Sequence, residues 1–305
     1  MQYIKALYLN KQSKIYPVLL QECFIALVVL SLWFVALYAI SDNATTLVDK
    51  HWPIILIAFI AATFANATAV GGGFIFVPLF SIYYGISSIE ALKLALSTQA
   101  FGMTSGALNW PSKLFLWPYL FVACFSSGIG MWLGTYYFSP ESQLLNPAFG
   151  TVSVLLGIAL LIESAALKRS HQSPRPITKA QLSLFFLICL GGGFINAWVS
   201  IGIGEIVALW LFLVCRHTIG QAVTTGVGAL AFCSILGFIF HADIGGIPWH
   251  YLAFTVPGVI IGGRVGAKLG TVLSNVTAGN NSGLFLKILI AIVILADGVF
   301  VLLYK

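Results

Sequence analysis

The sequence predicts an all-α polytopic membrane protein in which about seven crossing helices accompany two broken or re-entrant helical hairpins in an inverted repeat. Hydrophobic residues make up 59% of the 305 residues and charged residues only 8%, with a mean hydropathy of +0.99. Soluble domains carry about 25% charged residues. Apolar stretches long enough to cross a ~30 Å hydrocarbon core recur along the chain, and a glycine cluster occurs twice inside them. These observations exclude a soluble globule.

The apolar stretches define the expected elements in order, which are 17–40, 52–85, 88–109, 115–138, 146–167, 181–214, 218–240, 248–272 and 284–304. The first follows three lysines, as a signal peptide would, but its length and the lack of an A-x-A cleavage pattern favour a retained helix. The stretches 52–85 and 181–214 would each form a helix of roughly 50 Å, which exceeds one membrane crossing. Each is therefore predicted to be two helical arms, joined at Gly71–Gly73 and at Ile201–Gly204.

Loop charges favour hairpins over broken single passes at these two elements. With the lysine-rich N-terminus in the cytoplasm, hairpins place the basic linker 168–180 inside and the acidic residues Asp42, Asp49, Glu141 and Asp243 outside. Single passes would put that linker outside, against the positive-inside rule. Paired short spans remain the alternative. The expected location is the cell membrane, such as a bacterial inner membrane.

The two glycine clusters belong to a longer repeat. Phe64-Ala65-Asn66-Ala67 before the first cluster returns as Phe194-Ile195-Asn196-Ala197 before the second, and Ala100-Phe101 matches Ala231-Phe232 at an offset of 131. This predicts an added helix in 1–50, a first repeat over 51–167, the linker 168–180 and a second repeat over 181–305. Three crossing helices separate the hairpins, so the second repeat enters from the opposite face, which is the arrangement that alternating access uses.

A helix break at membrane depth frees backbone N–H and C=O groups, which must find partners in protein, water or a ligand. Paired breaks of this kind indicate the binding site of a transporter, although glycines also serve close helix packing in membranes. The candidate substrate-binding residues are glycines and polar residues at the breaks, one buried glutamine and one basic residue on a later helix. They are Asn66, Thr68, Gly71, Gly72, Gly73, Gln99, Asn196, Ser200, Gly202, Gly204 and Arg264.

Glu205 is the candidate for proton coupling, because it directly follows the second glycine cluster, where the first copy has Phe74. A helix start stabilises a carboxylate, whereas burial favours the neutral acid. The alternative is a helix-start acid that only accepts hydrogen bonds from backbone N–H groups. Gln99 is expected to face a cavity or another helix, since a glutamine facing lipid is costly.

Other kinds of chemistry find no support in the sequence. It contains no H-x-x-x-H or E-x-x-H pair, Walker loop, G-x-S-x-G elbow or cofactor fingerprint, and its five cysteines show no C-x-x-C spacing. We therefore expect no enzyme activity, catalytic residue, metal or cofactor. The net charge of +6 lies mostly in loops and at helix ends, where it sets membrane orientation and does not indicate nucleic acid.

The segments G-G-G-F-I-F-V-P at 71–78 and G-I-G-E-I at 202–206 together resemble the TauE/SafE (TSUP) family of sulfite and organosulfonate exporters, over about 52–304. The second copy departs from the first at Ile203, Glu205 and Leu209. The resemblance implies a secondary carrier that exports small sulfur-containing anions such as sulfite, thiosulfate or organosulfonates, often linked to protons. The expected partners are that anion, the lipid bilayer, protons and a second copy in a homodimer. Uptake of another small organic anion and a non-transporting scaffold are the alternatives.

Overall fold

A computed structural model describes residues 2–41, 43–167, 175, 177–276 and 282–303, and every regular element in them is helical. The elements are α1 (Gln2–Ile40), α2 (Ala44–Thr68), α3 (Gly73–Pro78) with a π-helical turn (Leu79–Tyr83), α4 (Ser88–Ala107), a 3₁₀ turn (Ser112–Leu114), α5 (Trp117–Tyr137), α6 (Ser142–Leu167), α7 (Lys179–Val199), α8 (Ile203–Leu209) with a second π-helical turn (Trp210–Val214), α9 (Ile219–Ile244), α10 (Trp249–Val276) and α11 (Ser282–Leu303). Among these residues, six helical stretches are long and apolar enough to cross a membrane. The predicted polytopic all-α fold is confirmed.

Two helices begin earlier than the apolar stretches suggest. The first starts at Gln2 and not at residue 17, and α2 starts at Ala44 and not at residue 52. Polar residues such as lysine and glutamine extend a helix as readily as most apolar ones, so hydropathy indicates where a helix can meet lipid and not where it begins. Most of the linker 168–180 lies outside the described residues. Within it, the Arg175 N–H donates to Cys215 O at 3.0 Å.

The chain divides into two compact units at Pro53. The first unit contains α1, whose side chains Leu20, Phe24 and Leu27 are more than 60% exposed. A helix that is apolar and exposed in this way is typical of a membrane span facing lipid. The second unit, from Ile54 onwards, contains both glycine clusters.

In the second unit, α2, α4 and α10 run in one direction. Three glycines of α10, four residues apart, lie in ascending order against carbonyl groups of α2, with Gly258 on Ile55, Gly262 on Phe59 and Gly266 on Thr63. Two hydroxyl groups of α4 bond α10 in the same order, with Thr98 Oγ1 2.8 Å from Thr255 Oγ1 and Ser105 Oγ 2.6 Å from Ile260 O.

Helices α5, α7 and α9 run the opposite way. Gly130 and Gly134 of α5 lie against Leu190 and Phe194 of α7 in ascending order. The start and end of α5 bond α9 in ascending order too, through Leu116 N to Thr225 Oγ1 (3.1 Å) and Tyr136 Oη to Asp243 (2.9 Å). In contrast, α4 is antiparallel to α9, because Lys93 near its start donates to Gly245 O beyond the end of α9 (2.7 Å).

The repeat partners therefore run in opposite directions. At an offset of about 131, α2 corresponds to α7, α4 to α9 and α5 to α10, and each pair has one member in each direction set. The last pair, α6 and α11, is antiparallel as well, since Gly150 lies against Leu302 and Gly157 against Leu295. The predicted inverted repeat is confirmed.

The glycine breaks are hairpin turns. Because α2 and α4 are parallel, the chain must return between them. The start of this return, Gly72, lies beside Gln99 of α4, and its end, Tyr84, makes an edge-to-face ring contact with Tyr251 near the start of α10. The returning arm Gly73–Tyr83 has 11 residues against 25 in α2, so it spans only about 16 Å. In the second repeat α8 returns along α9 in the same way, with Gly204 on Leu230 and Ala208 on Gly226.

Candidate functional site

The two breaks pack closely against each other between α4 and α9. A β-carbon at Gly73 would lie 2.5 Å from Ser200 O, and one at Gly204 would lie 2.5 Å from Ala69 O. Since Gly73 corresponds to Gly204 and Ala69 to Ser200 at the repeat offset, the two contacts are equivalent across a pseudo-twofold axis. Ala69 and Ser200 both adopt the left-handed conformation, with φ of 63° and 60°. Glycine is required at 73 and 204 because only a backbone without a side chain fits.

The Glu205 carboxylate joins the two breaks. Its Oε1 accepts from the Gly71 N–H at 2.8 Å, and its Oε2 accepts from the Gly202 N–H at 3.1 Å. The bond to Gly202 is the local helix-start bond that the sequence offered as the simpler alternative. The bond to Gly71 comes from the other repeat. Gly71 and Gly202 are equivalent positions, so one carboxylate, only 1% exposed, binds the same N–H group of both repeats.

A second bridge runs from the first repeat to the second, because Gln99 of α4 bonds to Ser200 at the second break. Its Nε2 donates to Ser200 O at 2.6 Å and Ser200 Oγ at 2.7 Å, and its Oε1 accepts from Ser234 Oγ at 3.3 Å. The prediction that Gln99 faces another element and not lipid is confirmed. The positions equivalent to Glu205 and Gln99 are Phe74 and Leu230, both apolar. Each polar bridge therefore exists once, despite the symmetry of the backbone.

The asparagines of the repeated sequence connect the ends of the long arms α2 and α7 to the neighbouring helices α4 and α9. Asn66 Nδ2 donates to Ala62 O (3.0 Å) and to Gly102 O of α4 (3.2 Å). Asn196 Nδ2 lies 3.7 Å from Cys233 Sγ of α9. Within the described part of the chain, the Oδ1 atoms of both asparagines are buried and have no hydrogen-bond partner.

Two ring N–H groups donate hydrogen bonds to backbone carbonyl groups at these arm ends. Trp110 Nε1 donates to Asn66 O at 3.1 Å, and His241 Nε2 lies 2.9 Å from Ala197 O, to which it donates because a carbonyl can only accept. Trp110 and His241 also correspond at the offset of 131. Sequence reasoning missed both residues, along with Ser234 and Ala69. The repeat offset alone would have paired Trp110 with His241.

A small cavity lies beside the first break, lined by Ala62, Ala65, Asn66, Gly72, Phe76, Thr98, Gln99, Gly102, Met103 and Val259. It has room for only about one water molecule. The breaks are thus in close contact, and this cavity leaves no room for a molecule larger than water.

The structure does not bring all the predicted residues together. Thr68 Oγ1 donates to Phe64 O of its own helix at 2.8 Å. Arg264 is half-buried on α10, on another side of the helix from Gly262 and Gly266, and the hydrogen bonds that join the breaks are made without it. No group of three His, Cys, Asp or Glu side chains suited to a metal ion occurs among the described residues.

Comparison with known proteins shows that the chain is similar to membrane transporters. The family model described as "Sulfite exporter TauE/SafE" matches residues 54–301. The "Probable membrane transporter protein YunE" of Bacillus subtilis is 23% identical over 241 residues, which cover 71% of this chain and 87% of that protein. The "Probable membrane transporter protein MJ0441" of Methanocaldococcus jannaschii is 24% identical over 195 residues, covering 62% of this chain and 71% of that protein. No solved structure matches.

Proposed function

We propose a function from the premise that this chain belongs to the sulfite exporter TauE/SafE family and is a membrane transporter. It exports small sulfur-containing anions, such as sulfite, thiosulfate or organosulfonates, across the cell membrane by alternating access. The observation that carries this proposal is the buried bridge in which Glu205 accepts hydrogen bonds from the equivalent N–H groups of Gly71 and Gly202.

Two inverted hairpins that meet tip to tip suit alternating access. Separating the breaks on one side of the contact would expose the N–H groups of Gly71 and Gly202, together with Gln99 and Ser200, to that side. The reverse movement would expose them to the other side, since the repeats are related by inversion. Amide N–H groups and neutral polar side chains hold an oxyanion without a fixed positive charge.

Proton coupling follows from the charge of Glu205. A carboxylate and a monoanion about 4 Å apart repel by roughly 4 kcal/mol at an effective dielectric constant of 20. An anion therefore binds at the breaks most readily when Glu205 has taken up a proton, so that proton and anion move together.

The basic residues of the linker and the N-terminal segment orient the N-terminus toward the cytoplasm.

Flux of ³⁵S-sulfite and of labelled acetate in proteoliposomes, with and without a pH gradient, tests the proposal. We expect saturable sulfite flux that a pH gradient accelerates. Absence of flux for every small anion would refute the carrier function. Sulfite flux that does not respond to the gradient would refute the proton link, and preference for acetate would replace the sulfur anion by a carboxylate.

A further inference from the structure

We infer that the Glu205 carboxylate occupies the binding seat of the transported anion, and that this seat takes a small anion presenting two oxygen atoms on one central atom, one to each repeat. The seat consists of the N–H groups of Gly71 and Gly202. The inference rests on the proposed function and names the chemical class of its substrate.

The geometry of the seat is symmetric. One carboxylate oxygen lies 2.8 Å from the Gly71 nitrogen and the other 3.1 Å from the Gly202 nitrogen. These donors are equivalent positions of the two repeats, so the carbon between the oxygens lies close to the pseudo-twofold axis. Formate, sulfite and the head group of a sulfonate share this pair of oxygens on one atom. Chloride offers a single atom and cannot occupy both oxygen positions.

The bond to Gly71 is not explained by local helix capping. A glutamate at this position would satisfy the start of α8 through Gly202 alone, three residues away. Its second oxygen instead accepts from a residue 134 positions earlier in the chain. The seat is therefore assembled only when the two breaks meet, as a substrate site shared by two repeats requires.

The symmetry also supplies the control. Phe74 stands at the position equivalent to Glu205 and is 4% exposed. Truncating either side chain removes buried volume, but only Glu205→Ala leaves the N–H groups of Gly71 and Gly202 without their acceptor. A free anion of matching shape should restore that acceptor in E205A and do nothing for F74A.

The test is anion-dependent thermal unfolding of purified wild type, E205A, F74A and E205Q in formate, sulfite or chloride at constant ionic strength. At saturation we expect formate and sulfite to raise the Tm of E205A by about 5 °C. Chloride should have no such effect, and wild type, F74A and E205Q should respond much less than E205A, because the side chain at residue 205 still fills the seat in all three. An E205A that is indifferent to formate, or an F74A that responds equally, would overturn the inference.

Poor folding of E205A does not prevent a decision. In that case the yield of folded E205A purified with formate throughout should exceed the yield with chloride, and equal yields would overturn the inference. The result is independent of transport. Rescue of E205A by formate without sulfite flux in wild type would refute the proposed function and leave the seat, whereas flux without rescue would refute the seat alone.

Discussion

The backbone of Gly204 contacts the carbonyl oxygen of Ala69 so closely that a β-carbon at residue 204 would lie 2.5 Å from it. The same contact recurs between Gly73 and Ser200. Because the backbone of each break blocks the other, we expect that neither break can shift sideways without displacing the other.

Alanine at Gly73 or Gly204 should force the breaks apart. We expect G73A and G204A each to destabilise the protein by about 1–3 kcal/mol, because the new methyl group meets a backbone carbonyl that cannot rotate away. Thermal unfolding in detergent measures the effect. Among the described residues, a β-carbon at Gly191 of α7 would meet no atom within 4 Å apart from the nearby backbone of its own helix, so G191A is the matched control. A loss in G191A equal to that in G73A would contradict the prediction.

Replacing Glu205 by glutamine should separate folding from the proposed proton coupling. E205Q keeps the shape but presents an NH₂ group to one of the two N–H donors, at a cost of about 1–3 kcal/mol. Because its amide cannot titrate, any remaining sulfite flux should no longer respond to a pH gradient. D243N, which alters an exposed carboxylate bonded to Tyr136, should retain the response. Gradient-driven flux in E205Q would place proton coupling elsewhere.

Leucine at position 99 copies the equivalent residue of the second repeat and removes three hydrogen bonds. Q99L leaves the Ser200 carbonyl without this buried donor, so a loss of about 1–3 kcal/mol is expected. S234A removes only the longest of the three contacts, at 3.3 Å, and should cost less. Chemical denaturation of both variants gives the order, and a larger effect of S234A would show that Gln99 is not the main bridge.

Phenylalanine at Trp110 should loosen the end of α2. W110F keeps an aromatic ring but loses the N–H that bonds Asn66 O, for an expected loss of about 1 kcal/mol. H241F removes the equivalent donor to Ala197 O and should have a similar effect. W249F, at a tryptophan that is 58% exposed, serves as the control and should leave the unfolding temperature nearly unchanged.

The sequence predicted the hairpins because two signals agreed, namely an apolar stretch too long for one crossing and a basic linker whose side depends on the number of crossings. It also placed Glu205 and Gln99 near the breaks. Their partners could not be predicted, because the bonds to Gly71 and Ser200 depend on how the repeats meet, and no periodicity within one helix records that. Arg264 was included because a basic residue on this glycine-rich helix could draw an anion inward, but the side of α10 on which it lies depends on how that helix is rotated.

The inequality between the repeats has a consequence for the unloaded protein. Two identical inverted repeats would give inward-facing and outward-facing forms of equal energy, since each form is the other with the roles of the repeats exchanged. Glu205 and Gln99 have only Phe74 and Leu230 as counterparts, so this exchange does not reproduce the same bonds. With each hydrogen bond contributing about 1 kcal/mol, we expect the unloaded protein, under the proposed alternating access, to face one side of the bilayer several times more often than the other.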